Sequence, residues 1–231
     1  SEDDFDRRIE FCEVMMNKIN ENLGFLANIV FTDESTFCLN GTVNRHNCRY
    51  WSDTNPHWMI QKHTQHPEKL NVWAGIVGRH VVGPFFVEGN LNSAVYLALL
   101  QNQIIPEIQR VSGDNFENIW FQQDGAPPHY GVHVRHFLDN VFPHKWIGRR
   151  GTIEWPARSP DLSPLDYFFW GYLKEKVFKT KPQNLDELRN RIVREAQGVP
   201  VQALNNAISA LHNRPGHCQQ TEGKHPEHPL Q

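Results

Sequence analysis

The sequence predicts an α/β domain: a mixed five-stranded sheet flanked by helices, with an insertion after the first strands. Three observations carry this. Short apolar runs that read as strands crowd the front of the chain, between residues 26 and 87. Beyond residue 92 such runs alternate with helical patterns, which implies parallel pairing through right-handed crossovers. Within the front part, residues 42–70 form a stretch too long for an ordinary connection and too aromatic for disorder. At 231 residues and 39% hydrophobic content, the chain can build a sizeable core.

Residues 1–23 are acidic, and Ile9, Cys12, Met16 and Ile19 recur at helical steps, giving one apolar face. The segment opens inside an acidic run without Met and reads as a piece of a longer protein. Leu26 to Phe31 predicts a buried strand ending at Thr32-Asp33. Ser35 to Leu39 predicts a second, closed by the turn pair Asn40-Gly41. The long stretch then brings Arg45, Arg49, Tyr50, Trp51 and Trp58 among several histidines. Val72 to Val77 is apolar on both faces, as a central strand requires, and Val81 to Val87 returns beside it, bent at Gly83-Pro84.

Asn92 or Ser93 can cap a helix running to about Arg110, with Tyr96, Leu100, Ile104 and Ile108 as its buried stripe and Pro106 as a kink. Ile119 to Gln123 predicts a strand that delivers Asp124 at its carboxyl end. Gly125 to Pro128 is a stiff turn, Val132 to Val141 a helix, and Thr152 to Trp155 a brief strand. Helices follow over Pro164 to Val177, Leu185 to Gln197 and Val201 to Leu211. From Asn213 a tail rich in His, Gly, Gln and Pro is expected to be loosely held. This is the element order of a ribonuclease H-like fold. Its first and fourth strands lie side by side, which would make Asp33 and Asp124 neighbours across 91 positions of sequence.

Three acids then stand at strand ends or helix starts: Asp33, Asp124 and Asp166. Cleaving or transferring a phosphodiester needs an activated oxygen nucleophile and a stabilised leaving oxygen. Two metal ions about 3.5–4 Å apart supply both. Mg²⁺ is hard and is held by a few carboxylates with water and phosphate. Each acid also has an ordinary explanation. Asp33 and Asp124 suit turns, and Ser163-x-x-Asp166 with Pro164 is a capping-box pattern. Asp161 lies nearer to Asp124, but in the loop before the helix, so Asp166 is preferred.

Composition narrows the rest. A net charge of −3 is a poor overall footprint for a nucleic-acid binder, so DNA contacts must be local. Lys145, Arg149, Arg150 and Arg158, around Glu154, are the candidate patch, and Lys174, Lys176, Lys179 and Lys181 read as an exposed helix face. The four cysteines form no Cys-x-x-Cys pair and nothing resembles a signal peptide, which predicts a reducing intracellular compartment. Cys218, His225 and His228 match no standard zinc spacing. No apolar run approaches the roughly 20 residues that span a bilayer, so no membrane partner is expected.

Three stretches together resemble a mariner-type transposase catalytic domain of the DDE/D class. They are Phe31-Thr32-Asp33-Glu34-Ser35-Thr36-Phe37, the run from Trp120 to His129 through Gln123-Asp124-Gly125-Ala126-Pro127-Pro128, and the run from Trp155 to Gly171 through Ser159-Pro160-Asp161-Leu162-Ser163-Pro164-Leu165-Asp166. The resemblance implies that Asp33, Asp124 and Asp166 are catalytic and hold two Mg²⁺ or Mn²⁺ ions. It implies cut-and-paste strand cleavage and transfer at transposon inverted-repeat ends and target DNA, in the nucleus, by a homodimer joined through the 42–70 insertion. Glu34 and His129 are expected to support the carboxylates, and Arg45 and Arg49 to join the basic patch as DNA contacts. Residues 1–23 are then the remnant of a linker to a DNA-binding domain, 24–200 the catalytic domain, and 201–231 a terminal helix with a flexible tail. The 41 residues between Asp124 and Asp166 exceed the usual mariner interval and point to a divergent subfamily. Two other readings stay open: a catalytically silent, host-adopted DNA-binding or dimerisation module, and a general ribonuclease H-like nuclease.

Overall fold

A computed structural model describes residues 2–41 and 68–224. Its centre is a five-stranded sheet in the order β3-β2-β1-β4-β5. The strands are β1 (Ile29–Cys38), β2 (Lys69–Val77), β3 (His80–Val87), β4 (Trp120–Gln122) and β5 (Trp146–Ile147). The first three pair antiparallel, whereas β4 lies parallel to β1 and β5 parallel to β4.

Strand alternation divides the core into two layers. Ile29, Phe31 and Phe37 of β1, with Val72, Ala74 and Ile76 of β2, face one helical layer. That layer is α1 (Glu2–Glu21), α5 (Trp170–Val177), α6 (Leu185–Gln197) and α7 (Val201–Ala210). Val30, Trp73, Val77 and Phe121 face the other, built by α2 (Ser93–Leu99), α3 (Ile105–Ser112) and α4 (Val132–Val141). Among the described residues no helix is long and apolar enough to cross a membrane.

Several expectations need correction. The two short strands expected around Asp33 are one continuous strand, β1, paired with β2 from Val30 to Cys38. Asp33 therefore sits in mid-strand, not at a strand end. The last strand is Trp146–Ile147, not Thr152 to Trp155; of the latter only Ile153 forms a bridge, to Ile147. The kink expected at Pro106 is a wider π-type turn over Leu100–Ile104. That turn leaves Pro106 in the first turn of α3, where its missing N–H costs nothing. Asn92 caps α2 as expected, accepting from the N–H groups of Ala94 and Val95.

The tail is not loose where it is described. Residues 214–220 form α8 (Arg214–Gln220), packed on α1 with Cys218 buried. The cause is Arg8, which is 2% exposed. Its guanidinium donates to Asp161 Oδ1 and Oδ2 at 3.0 and 2.7 Å, to Ser159 Oγ at 2.6 Å and to the Gly223 carbonyl at 2.7 Å. A buried charge needs such pairing. The first helix, the loop before Asp166 and α8 are thus tied at one point. Phe11, Cys12, Met15 and Ile19 of α1 belong to the core of this body. Arg45, Arg49, nearly all of the 42–70 insertion, His225 and His228 lie outside the described residues.

Candidate active site

Parallel pairing sets the first two acids side by side. β1 and β4 pair Ile29 with Trp120, Val30 with Phe121 and Phe31 with Gln122. Two residues further along the same register stand Asp33 and Asp124. Between them Thr32 locks the strands, its N–H donating to Gln122 Oε1 at 3.1 Å and its hydroxyl to the Gln122 carbonyl at 2.7 Å.

Asp166 arrives from the helical layer. It lies in a π-type turn, Leu165–Phe169, that leads into α5 and packs against β1. Its N–H reaches Ser163 Oγ only at 3.5 Å, so the capping pattern is present but weak. Asp166 and Trp170 stand four positions apart, one helical turn. Trp170 donates its indole N–H to Asp33 Oδ2 at 2.7 Å, which joins β1 to the helix that carries the third acid.

The electrostatics follow from this crowding. Burial, then the charges of Asp166 and Glu34, hold the Asp33 carboxyl well above its ordinary range against the pull of the Trp170 hydrogen bond. Burial also raises Asp166, to about 6, with Asp124 adding to the rise and Ser163 and Lys174 opposing it. Asp124 differs. Burial pushes it up, but the His129 hydrogen bond and charge and the Ala126 N–H at 2.9 Å leave it below the usual value.

His129 makes that difference. Its Nδ1 lies 2.5 Å from Asp124 Oδ1 and its Nε2 3.3 Å from Glu34 Oε1. Burial disfavours the imidazolium, but the two carboxylates outweigh it and push His129 up to about 10. The ring lies against Tyr96 with centroids 4.4 Å apart and the planes tilted by 39°. Gln123 then bridges the pair, donating to the His129 carbonyl at 2.8 Å and accepting from the Tyr96 hydroxyl at 3.0 Å. Glu34 reaches His129 because strand alternation sends it to the face opposite Asp33.

Of the expected residues, the fold brings together Asp33, Glu34, Asp124, His129 and Asp166. Among the described residues no three ligand-type side chains stand close enough to close a metal site. The acids share one field without forming a cage. Their chemistry still fits a hard divalent cation: the donors are carboxylate oxygens, and two of them are raised by burial and then by neighbouring carboxylates, both of which a cation would offset. Asp161, by contrast, has both of its oxygens engaged by Arg8.

The basic patch divides. Arg149 and Arg150 follow β5 on the side of the strands' carboxyl ends, and both are exposed. Arg150 and Arg158 have positive φ, 63° and 54°, a conformation that side-chain-bearing residues adopt at a cost. Lys145 is not brought to the site, because its ammonium bonds the Glu117 carbonyl at the strands' opposite end. Three residues were not assigned from sequence: Trp170, Gln123 and Lys174. Lys174 is 6% exposed rather than on an open helix face, with its ammonium 5.5 Å from the Phe37 ring centroid. Asp166, Trp170 and Lys174 stand at i, i+4 and i+8, and that spacing was the available signal.

A model of the DDE superfamily endonuclease family matches residues 28–189. The chain is 27% identical over 214 residues to the Tc3 transposase of Caenorhabditis elegans, covering 90% of this chain and 60% of that protein. It is 25% identical over 201 residues to the Tcb2 transposase of Caenorhabditis briggsae, covering 84% of this chain and 66% of that one. The chain thus spans about 60–66% of these relatives' lengths. Among solved structures it resembles the Mos1 transposase catalytic domain with Raltegravir and Mn, at TM-score 0.76, 19% identity and 98% of both chains. It also resembles the Mos1 transposase paired-end complex with left transposon end, at TM-score 0.79, 21% identity, 98% of this chain and 64% of that one. These likenesses establish the ribonuclease H-like fold.

Proposed function

The chain belongs to the DDE superfamily endonucleases, and on that premise we propose that it is the catalytic part of a transposase that cuts DNA at transposon ends and joins them to a target. The observation that carries the reading is the register of β1 and β4, which levels Asp33 with Asp124 and leaves Asp166 facing them from the start of α5.

In this reading Asp33, Asp124 and Asp166 hold two Mg²⁺ or Mn²⁺ ions. When bound, these ions supply a water or 3′-hydroxyl nucleophile at neutral pH and charge neutralisation at the leaving oxygen. The chain's own residues do the rest. Trp170 fixes the rotamer of Asp33 by holding Oδ2, which leaves its other oxygen to bind. His129 fixes Asp124, and Glu34 and the Tyr96–Gln123 pair fix His129, so the carboxylate is already oriented and ionised. Arg149 and Arg150, on the open side, attract the DNA backbone. The protein works on nuclear DNA as a homodimer, with the 42–70 insertion as the contact between subunits.

The test is cleavage of a duplex bearing the element's own terminal repeats by the full-length protein, with Mg²⁺ or Mn²⁺. The wild type is expected to nick at the repeat boundary, and Asp124→Ala to lose that nicking while keeping its fold. Metal binding without cleavage would select a silent DNA-binding module. Digestion of RNA–DNA hybrids without end preference would select a general nuclease.

A further inference from the structure

Beside the carboxylates a cleft of about 710 Å³ opens between α1 and the segment 149–157. Gly125, the residue after Asp124, lines its inner end. Arg7 and Glu10 come from the α1 side, and Arg149, Glu154 and Trp155 from the other. The volume lies within the range of about 300–1,000 Å³ that suits a small ligand. A volume of that size suits a single nucleotide.

The far wall is firmly built. A Cβ on Gly151 would fall 2.8 Å from Trp146 Cε3 and 3.0 Å from the Trp146 carbonyl, so only glycine lets the segment lie this close to β5. The Arg149 guanidinium carbon lies 4.2 Å from the centre of the Tyr130 ring, a cation–π contact that holds it in place. Arg149 is exposed and forms no ion pair among the described residues, so it stays accessible from the cleft it lines. A guanidinium plane braced on an aromatic ring is a surface on which an unpaired base stacks. Arg7, across the cleft, is exposed and suits a phosphate. Glu10 and Glu154 would repel a bare phosphate chain, but they accept hydrogen bonds from the exocyclic amino groups of bases.

We propose that this cleft receives one unpaired nucleotide of the DNA end, with its base stacked on Arg149, its amino group facing Glu10 or Glu154 and its phosphate held by Arg7. The proposal deepens the transposase reading and rests on it for the source of the nucleotide. Unpairing at the end lets the scissile phosphate approach Asp124 while the adjoining base is parked in the cleft. A base without an exocyclic amino group, thymine, should bind less well.

The experiment titrates the dinucleotide d(CpC) into the full-length protein and follows the side-chain N–H signals of Arg149 and Trp155 by NMR. Inorganic phosphate, deoxycytidine and d(TpT) serve as separate probes. Saturable shifts at submillimolar d(CpC) are expected, with d(TpT) weaker by about threefold. Arg149→Ala and Tyr130→Leu, both judged folded from thermal unfolding, should weaken d(CpC) by about tenfold. No shift at ten-millimolar d(CpC), equal affinity for phosphate alone, or unchanged binding in both variants overturns the proposal. Asp124→Asn keeps d(CpC) binding while losing cleavage. Binding without any cleavage by the wild type therefore removes the transposase reading and spares the cleft. Cleavage without binding does the reverse.

Discussion

The indole N–H of Trp170 donates to Asp33 Oδ2 at 2.7 Å, from one helical turn beyond Asp166. A single side chain thus couples two acids that lie 133 positions apart in sequence. Because the bond is made to a carboxylate, it favours the ionised form of Asp33 against burial and repulsion. Trp170→Phe keeps an aromatic ring in the core, shortens it by part of the indole and deletes the donor. Metal affinity should fall by about tenfold at pH 7 and recover as pH rises, because Asp33 then ionises unaided. Metal titration by calorimetry at pH 7 and pH 9 checks this, and equal losses at both pH values would refute it.

The raised carboxyls set a pH dependence for the metal-free protein. A carboxyl with a higher pKa folded than unfolded binds more protons in the folded state, so stability falls as pH rises between the two values. For Asp166 that window runs from about 4, the unfolded value, up to about 6. Asp166→Asn removes this term. The variant should be the more stable at pH 7.5 by about 1–2 kcal/mol, a figure discounted for the solvent reaching the site, and should match the wild type below about pH 4. Adding Mg²⁺ should raise the unfolding temperature of the wild type and leave that of the variant in place. Denaturant melts across pH test both parts.

His129 behaves in the opposite sense. Its pKa is raised to about 10, so its contribution to stability is whole below about 6.5 and is lost as pH climbs through about 10. His129→Asn keeps some polarity but takes away the imidazolium 3.3 Å from Glu34 Oε1, an atom that makes no hydrogen bond among the described residues. A loss of about 1–3 kcal/mol at pH 7 is expected. Metal affinity should fall by about 10–100-fold, because Asp124 is no longer fixed. Unchanged affinity in a folded variant would show that Asp124 needs no such support.

Asp161 and Asp166, five residues apart in one loop-to-helix segment, are expected to separate by role. Asp161→Asn weakens the Arg8 tie and should destabilise the fold by about 3–5 kcal/mol, the cost of leaving a buried charge without its partner. At a temperature where the variant is folded, it should still cleave. Asp166→Asn should fold and not cleave. Hydrogen exchange should show α8 opening first in the Asp161 variant. Loss of cleavage in a folded Asp161→Asn would reverse the assignment of the third acid.

The sequence conveyed the sheet's order, the helices from 92 onward and the three acids, because those features repeat with a period or fall in long motifs. It misplaced Asp33 at a strand end because Thr32-Asp33-Glu34-Ser35 is a polar run. Polar residues that point inward at a site hide the alternation that marks a strand. β5 holds two residues, too few for any period to show, so the apolar pair Ile153 and Trp155 drew the strand to themselves. The tail looked loose because Pro215 and Gly216 are poor helix formers, yet a buried arginine from the far end of the chain overrides that preference. Trp170 and Lys174 went unassigned because a helix stripe looks like ordinary packing until its strand neighbour is known.

The Arg8 tie also bears on synthesis. α1 leaves the ribosome before the rest of this body, and its charged anchor finds its last partners only when residues 218–223 have been made. Until then a guanidinium destined for the interior must stay hydrated, and α1 has no finished bed to lie in. A stop codon anywhere upstream of α8 therefore removes more than a few terminal residues. It strands α1, and the nascent product becomes prey for chaperones and proteases before the carboxylates are brought together.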